Sequence, residues 1–393
     1  MSHNIFEEPN ENLLQASGIT ELSILGIELT QSIQSMNHDV SIVEGKPALV
    51  RVYIDQRTIM TSINVTGEIR WYSDAGEHFV VPINIVNIDS TTPKDLESQR
   101  DELSAALNFI LPPEALQEGL LVIALDRLRI VGEGEVAING NTQLRLTVEK
   151  APPLRIRVIG FRYTDGNQSF TPDAVHFAFF KSYLLRSFPT NNIDWSQIVV
   201  DGNFQAPFDD ITASRVHAHL AAMRSREISA GVDPRTHYYG IVSDANGRYF
   251  LRGKAADIPG IPSPDIVACG PVGEPNGGFG GDTDVSYADW YGAHELCHTY
   301  GRYHPGFPPY DPVTERGQDA SDANFPYPEG NLSSDALEHV GFDIGDNNLN
   351  LPMKILPRQL HHDVMTYKEK QWLSAYTYQA ILERLRQEDE LFN

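Results

Sequence analysis

The sequence predicts an α+β protein in which a β-rich half precedes a half of alternating helices and strands. Between about Glu21 and Lys150, short runs rich in Val, Ile and Leu are separated by turn residues. Within "ALVRVYID", Val50, Val52 and Ile54 alternate with polar neighbours, the period of two that is typical of a half-buried strand. Because a chain of 393 residues is longer than a domain with a single hydrophobic core usually is, two domains are expected.

The predicted domain boundary lies at Pro152-Pro153, where the character of the chain changes. Residues 1–20 are interpreted as an N-terminal tail, residues 21–151 as an antiparallel β-sandwich and residues 152–393 as the second domain. In the second domain the patterns predict helices near 173–187, 214–229 and 378–391, and strands at 154–163 and 237–243.

Charge and hydropathy exclude several classes of partner. The chain has 30 Lys and Arg residues and 53 Asp and Glu residues, which gives a formal net charge of −23. The basic residues are not concentrated in any one stretch. Nucleic acid and anionic membrane surfaces are therefore poor partners. The most apolar stretch, "GLLVIALDRLRIVG", is interrupted by Asp126 and Arg127, so no transmembrane segment is predicted. The first residues are acidic where a signal peptide needs a basic flank, so no classical signal peptide is expected.

One stretch of eleven residues, "HELCHTYGRYH" at 294–304, carries most of the chemical information. Ser286 is a candidate N-cap with Asp289 three residues later, a variant of the capping box. Gly301 is a natural helix stop in the left-handed conformation. These signals predict a helix from Tyr287 to Tyr300 that carries the first two histidines.

The spacing of this stretch predicts a metal site with an open position. His294 and His298 lie one helical turn apart, so that both imidazoles face one metal, while Glu295 is offset and able to take a proton from water on that metal. A sharp turn at Gly301 returns His304 to the same metal. Three imidazoles leave the fourth position for water, as in catalytic zinc sites, and zinc lowers the pKa of that water to about 7.

The competing interpretation is a helix whose histidines are ordinary surface or core residues. A pair of histidines four residues apart would not by itself distinguish ordinary histidines from metal ligands. Glu295, Gly301 and His304 each occupy a position with its own geometric role, and this combination favours zinc ligation by His294, His298 and His304 with Glu295 as general base.

The stretch matches the H-E-x-x-H-x-x-G-x-x-H signature at every specified position, and the chain therefore resembles the metzincin zinc endopeptidases. "HHDVMTY" resembles their tight turn around a methionine beneath the metal, which would be Met365. Tyr367 resembles the tyrosine that astacins and serralysins place near zinc, where it coordinates the metal or stabilises the oxyanion. Pro305-Gly306 after His304 is similar to the serralysins.

A weaker resemblance extends over nearly the whole chain. "GIELTQSIQ", "EGKPALVRVYID", "VGFDI" and "QWLSAYTY" are similar to segments of a group of bacterial zinc metalloproteases with a β-sandwich ahead of the catalytic domain. The resemblance implies a metzincin-like α/β catalytic domain with a mixed sheet and an active-site helix. It also implies extracellular action and a substrate bound extended along an edge strand.

We therefore interpret the sequence as that of a zinc-dependent endopeptidase acting on protein or peptide substrates, glycoproteins included. One alternative is a zinc hydrolase of another amide or ester, since activated water attacks any suitably placed carbonyl. Another is a binding protein or adhesin whose zinc site is vestigial. The presence of Glu295 argues against the second alternative, because a decayed site is expected to lose its base early.

Three weaker features complete the expectations. Cys297 is interpreted as a structural residue or as a disulfide partner of Cys269, and not as a ligand. The glycine-rich "GGFGGDTDV" is interpreted as a loop entering the zinc helix. A second metal, Ca²⁺, has weaker support from the oxygen-bearing side chains of Asp343, Asp346, Asn347 and Asn348, for which a solvated loop is the alternative.

Overall fold

The protein is of the mixed α+β class and is built mainly of strands, as the sequence predicts at that level. The computed structural model describes residues 17–73, 76–204, 209–245, 251–274, 285–309, 311–313, 317–318, 322–334 and 338–391. "GGFGGDTDV" lies outside these residues except for Val285. Over the same ranges, no helix has the length and apolar character needed to span a membrane.

The first half of the chain is almost entirely β-structure. Its elements are β1 (Glu21–Thr30), β2 (Ile33–Gln34), β3 (Ile42–Val43), β4 (Ala48–Ile54), β5 (Ile63–Ser73), β6 (Gly76–Val80), β7 (Val86–Ile88), α1 (Leu96–Arg100), β8 (Leu107–Leu111), β9 (Gly119–Ile130), β10 (Gly134–Asn139) and β11 (Gln143–Glu149).

All of these strands except β2 belong to one ten-stranded sheet around a single apolar core. Its main path runs β3-β11-β9-β10-β1-β4-β8, and β5 pairs with β9, β6 and β7. The pairs are antiparallel except β1 with β10 and β3 with β11. Strand β1 joins the two parts of the path, because Glu21–Ser23 pair with β10 whereas Ile24–Thr30 pair with β4.

The prediction that the strand in "ALVRVYID" is half-buried is wrong. Every residue of β4 is buried, including Arg51 at 1% exposure. The Arg51 guanidinium donates hydrogen bonds to the carbonyl oxygens of Gln99, Arg100 and Glu102 at 2.7–2.9 Å. Because α1 and its flanking residues cover the polar face of the strand and satisfy these donors, an alternating pattern is compatible with burial on both faces.

The second half alternates helices and strands. Its elements are β12 (Leu154–Asp165), β13 (Gln168–Phe170), α2 (Ala174–Ser187), β14 (Ile193–Asp201), α3 (Asp210–Ser229), β15 (His237–Ser243), β16 (Lys254–Ala255), β17 (Ala268–Val272), α4 (Ala288–Thr299), β18 (Val340–Asp343), β19 (Lys354–Leu356), β20 (His362–Asp363), β21 (Gln371–Trp372) and α5 (Ala375–Glu390).

The predicted helices are present, and two begin earlier than expected. Helix α3 begins at Asp210 because the Asp209 side chain accepts a hydrogen bond from the Thr212 amide. Helix α5 begins at Ala375, where Ser374 caps it through the Thr377 amide. In both cases a capping side chain, and not the apolar periodicity, sets the first residue.

The main sheet of this half is mixed and covered on both faces. Strands β14, β12, β15 and β17 are parallel neighbours, and β16 is antiparallel to β17 at the edge. Helices α2 and α4 contribute to the apolar cluster on one face, and α3 contributes to that on the other. The short edge strand β16 is in contact with α4.

One segment of the first half lies inside the second. Strand β2 pairs with β18 in a three-stranded sheet of order β19-β18-β2. Ile33 and Val40 belong to the same buried cluster as α2 and α4. The Trp372 indole donates a hydrogen bond to the carbonyl of Ser32 at 2.9 Å. Residues 32–40 are therefore part of the core of the second half, although they precede the Pro152-Pro153 segment by more than a hundred residues.

Lys46 is buried where the two halves meet. Its ammonium group donates hydrogen bonds to the carbonyls of Leu185 at 2.7 Å and Arg186 at 3.1 Å, at the C-terminal end of α2. Arg186 itself forms a buried ion pair with Asp343. Burial, together with the positive charge of Arg186, lowers the pKa of Lys46 to about 7.

This pKa generates a pH-dependent stability. Since the ordinary pKa of lysine is 10.5 and that of Lys46 is about 7, the unfolded chain binds more protons between these values, and stability rises with pH there. Lys46→Met removes this titration. We expect the free energy of unfolding of the wild type, minus that of Lys46→Met, to rise from pH 7 to pH 10 by about 1 kcal/mol per pH unit.

Urea denaturation of both proteins at several pH values measures this difference. Lys354→Met, at an exposed lysine, serves as the matched control and should give a nearly constant difference. If the difference in free energy of unfolding between wild type and Lys46→Met stayed constant or fell as the pH rose, the lowered pKa of Lys46 would be contradicted.

Candidate metal centre

Helix α4 presents two histidines from a buried position. It spans Ala288–Thr299, one residue shorter at each end than predicted. The imidazole rings of His294 and His298 have centroids 4.9 Å apart, and both side chains are buried. Consecutive turns of one helix therefore bring the two rings together, as the spacing of four residues predicts.

The predicted capping box at the start of α4 is wrong. The residue at the N-cap is Tyr287, which makes no capping hydrogen bond through its side chain. Ser286 instead lies one residue earlier, where its hydroxyl accepts a hydrogen bond from the Ala288 amide at 3.2 Å and contacts Nδ1 of His176 at 2.7 Å. The serine hydroxyl thus links the helix start to α2.

Gly301 reverses the chain after α4. Its φ is +79°, the left-handed conformation that the sequence predicts. The Gly301 amide donates to the carbonyl of His298 at 2.8 Å, and the Arg302 amide donates to that of Cys297 at 2.9 Å. These two hydrogen bonds define a Schellman motif, which ends the helix and turns the chain back towards its own histidines.

The turn brings His304 to the two helical histidines. Its Nε2 atom lies 3.2 Å from Nε2 of His294 and 3.1 Å from Nε2 of His298. One nitrogen of each ring lies within 4.8 Å of the other two, and this group of three could hold a metal ion. A cation about 2 Å from each nitrogen fits between atoms at these separations.

Backbone carbonyls fix the orientation of the two helical imidazoles. Nδ1 of His294 lies 2.7 Å from the carbonyl oxygen of Val364, and Nδ1 of His298 lies 2.7 Å from that of Arg302. Because a carbonyl only accepts, each Nδ1 carries the proton, and each Nε2 offers its lone pair to the metal.

Electrostatics keep these rings neutral. Burial, reinforced by the neighbouring imidazoles, lowers the pKa of His294 well below its usual value of 6.5. Burial and the adjacent His304 lower the pKa of His298 to about 3. Neutral imidazole is the form that binds a metal, so both ligands are ready for coordination at physiological pH.

The segment after β20 contacts His294 through the backbone carbonyl of Val364. Val364, whose carbonyl binds His294, and buried Met365 lie in a tight turn closed by a hydrogen bond of 3.0 Å from the Thr366 amide to the carbonyl of Asp363. The Asp363 carboxylate also accepts from the Met365 amide at 2.8 Å. The turn that carries Met365 therefore contacts the histidine cluster through the carbonyl of Val364.

Gln318 links this turn to the loop that follows His304, a role that the sequence did not indicate. Its side-chain amide donates to the carbonyl of Met365 at 2.6 Å and accepts from the Phe307 amide at 2.9 Å. Gln318 is 2% exposed. No sequence motif marks an isolated glutamine as a bridge between two distant turns.

Glu295 faces the edge strand of the sheet. Its carboxylate accepts a hydrogen bond from the Ala255 amide of β16, and burial raises its pKa to about 8. A Cβ at Gly253 would lie 2.5 Å from both Cγ and Oε1 of Glu295. The sequence predicted Glu295 but gave no signal for Gly253, whose missing side chain leaves the space for the carboxylate.

Tyr367 lies beside the histidines, and Arg252 lies beside Tyr367. The Tyr367 ring centroid is 5.0 Å from that of His304 and 5.8 Å from that of His294. Its side chain is 40% exposed, so that the phenol borders both the cluster and solvent. The Arg252 guanidinium carbon lies 6.0 Å from the centre of the Tyr367 ring. Arg252 was not identified from the sequence.

Of the two interpretations of Cys297, the disulfide with Cys269 is wrong and the structural residue is confirmed, because both thiols are free and buried. Cys269 lies in the apolar cluster that includes α3, with its sulfur 3.8 Å from the carbonyl of Ala213. Cys297 lies in the cluster on the other face of the sheet. Burial raises the pKa of both thiols well above their usual value, so each is a small apolar core residue.

The two aspartates considered for calcium, Asp343 and Asp346, are both engaged by protein groups. The Asp343 carboxylate is paired with Arg186 and accepts from the Gly345 amide. The Asp346 carboxylate binds the Ser182 hydroxyl at 2.7 Å and the Asn348 amide at 2.9 Å. These oxygens therefore stabilise the loop after β18 by hydrogen bonds within the loop and to α2.

Substitution of Gly301 tests whether the turn after α4 positions His304. A Cβ there would lie 2.5 Å from the carbonyl oxygen of Pro259. Gly231 ends α3 in the same kind of motif, with φ +104° and open space around a Cβ. Alanine should cost about 1 kcal/mol at either glycine because of its conformation. We expect only Gly301→Ala also to weaken metal binding, by at least tenfold, because the clash displaces the turn that carries His304.

Isothermal titration of both variants with zinc, paired with thermal denaturation, checks this expectation. Equal zinc affinity in Gly301→Ala and Gly231→Ala would show that the turn does not position a ligand.

Comparison with known proteins yields little. No family model and no curated protein matches the chain. Among solved structures, a calcium-binding mutant of beta-glucuronidase 2 from Bacteroides uniformis is similar over 55% of this chain and 23% of that one, with 11% identity and a TM-score of 0.17. The chain thus spans less than a quarter of that protein's length. A functional assignment therefore depends on the residues of the histidine cluster.

Proposed function

We propose that this protein is a zinc-dependent endopeptidase of the metzincin type, with an N-terminal β-sandwich followed by the catalytic domain. The observation that carries the proposal is the convergence of three imidazole Nε2 atoms, two of them 3.1 and 3.2 Å from the third. Ligands at about 2.0–2.1 Å in tetrahedral array are about 3.3 Å apart, which favours zinc with a fourth position left open.

A peptide is favoured over other amides and esters by the strand beside the site. Within the described residues, β16 pairs with β17 alone, and the Ala255 amide on its other side contacts Glu295. An extended peptide adds to such an edge through main-chain hydrogen bonds. The scissile carbonyl of a peptide bound along β16 would then lie close to the carboxylate and the histidines.

In this proposal the residues of the chain have separate tasks. Bound zinc would polarise the scissile carbonyl and make water acidic enough to be deprotonated near neutral pH. Glu295 accepts the proton and delivers it to the leaving amine. Tyr367 donates a hydrogen bond to the oxyanion of the tetrahedral intermediate from the exposed side of the cluster. Met365 supports the ligands through the turn that carries Val364.

The central experiment compares the wild type with Glu295→Ala on denatured and glycosylated protein substrates. We expect the variant to lose at least a thousandfold in kcat while retaining one zinc per chain, because the general base is lost and the ligands are kept. Chelation of zinc should abolish cleavage by the wild type, and restored zinc should recover it. Glu390→Gln, at an exposed glutamate of α5, is the control and should remain active.

Three results would separate the alternatives. Equal cleavage by Glu295→Ala would end the hydrolytic proposal. A zinc-loaded wild type that cleaves ester or small amide substrates but no peptide would favour the other hydrolase. Failure of the purified protein to take up zinc would remove the premise of both.

Gly253 supplies a second test, directed at the positioning of Glu295. In Gly253→Ala the new methyl group would collide with the Glu295 side chain, so we expect kcat to fall by about tenfold to a hundredfold with zinc content unchanged. Gly260→Ala places its methyl group in open space nearby and should match the wild type. Steady-state kinetics and metal analysis of the two variants measure the contrast. Equal kcat values would refute the positioning role of Gly253.

A further inference from the structure

Two cationic side chains, Arg252 and Lys368, lie close to Tyr367 at the rim of the histidine cluster. Arg252 is exposed, and its guanidinium lies beside the Tyr367 ring. Lys368 follows Tyr367, with its ammonium nitrogen 5.0 Å from the centre of the Phe307 ring. Among the residues that the structure describes, neither cation forms an ion pair with a carboxylate. In a chain whose net charge is −23, two such cations at one site are unexpected.

Two other arginines near the site, Arg302 and Arg384, contact polar or aromatic groups of the protein. Arg302 contacts Asp322 at 3.5 Å and stacks over Tyr376, with its guanidinium carbon 4.6 Å from the ring centre. Arg384 donates to the carbonyls of Pro259 and Ile261. By contrast, the described contact of the Arg252 guanidinium is the ring of Tyr367, and the Arg252 side chain is exposed.

The position of Arg252 in the chain connects this charge with the bound substrate. It precedes Gly253, which contacts Glu295, and lies three residues before Ala255, whose amide binds the Glu295 carboxylate. A peptide extended along β16 therefore passes Arg252 within a few residues of the scissile bond. The planar guanidinium is suited to bidentate recognition of a carboxylate.

We propose that Arg252 is a specificity-determining residue that binds a carboxylate of the substrate, and that the preferred substrates are peptides with Asp or Glu close to the cleaved bond. Lys368, the residue after Tyr367, adds to the positive potential. This inference rests on the proposed peptidase function. The carboxylate has two sources in a peptide, an acidic side chain and the C-terminus, and the side chain fits an enzyme that cleaves within chains.

The test uses the full-length, zinc-loaded protein and internally quenched peptides in which a single Asp is moved through three positions on each side of the cleaved bond. At one position we expect kcat/KM to exceed that of the matched Asn peptide by about tenfold. Arg252→Gln should reduce this ratio to below twofold, Arg252→Lys to an intermediate value, and Arg252→Glu should invert it. Arg129→Gln, at an exposed arginine of β9, should preserve the wild-type ratio.

A binding measurement separates this inference from the peptidase proposal. Fluorescence anisotropy with zinc-loaded Glu295→Ala should give a Kd about tenfold lower for the Asp peptide than for the Asn peptide, and the added Arg252→Gln should remove the difference. Salt should weaken the preference in the parent and leave the double variant unaffected.

The outcomes are distinct. Cleavage without a preference for acidic peptides, or a preference that survives Arg252→Gln, overturns the inference and leaves the peptidase intact. A preference that depends on a free C-terminal carboxylate, lost when the peptide is amidated, overturns the assignment to side chains. Absence of cleavage for every peptide overturns the peptidase, and equal anisotropy for both peptides then overturns the carboxylate site as well.

Discussion

The geometry of the histidine cluster depends on one backbone reversal. Two imidazoles on a helix need only regular spacing, but the third ligand must return over the end of the same helix. Gly301 makes this return with a positive φ and without a Cβ, in a position closed by the Pro259 carbonyl and by Arg384 of α5. The packing of two distant segments therefore holds the turn, and the turn holds His304 against His294 and His298.

Much of the site was predictable because its signals are local. The histidine spacing and the glycine stop each depend on residues that are close in sequence, where helix geometry and turn chemistry determine the outcome. The alternation of strands and helices likewise predicted the α+β class. By contrast, the exact start of α4 was missed because the serine hydroxyl binds His176 of another helix as well as the local amide.

The features that sequence did not reveal all depend on contacts between distant segments. Arg51 is buried because residues 99–102 supply carbonyls to it. Cys269 and Cys297 are apart because β17 and α4 direct them into different apolar clusters. Gly253 matters because Glu295 occupies the space of its missing side chain. In each case the amino acid carries no motif, and only the fold assigns its partner.

The first half of the chain is connected to the histidine cluster by a short series of hydrogen bonds. Ser32 accepts from the indole of Trp372, and the carbonyl of Trp372 accepts from the Val364 amide at 2.7 Å. Val364 then accepts the Nδ1 proton of His294 through its own carbonyl. Because each of these groups is buried, loss of any partner would leave an unsatisfied polar atom at a cost of about 1–3 kcal/mol. The segment around β2 is therefore part of the support for His294, and the two halves act as one scaffold for the histidine cluster.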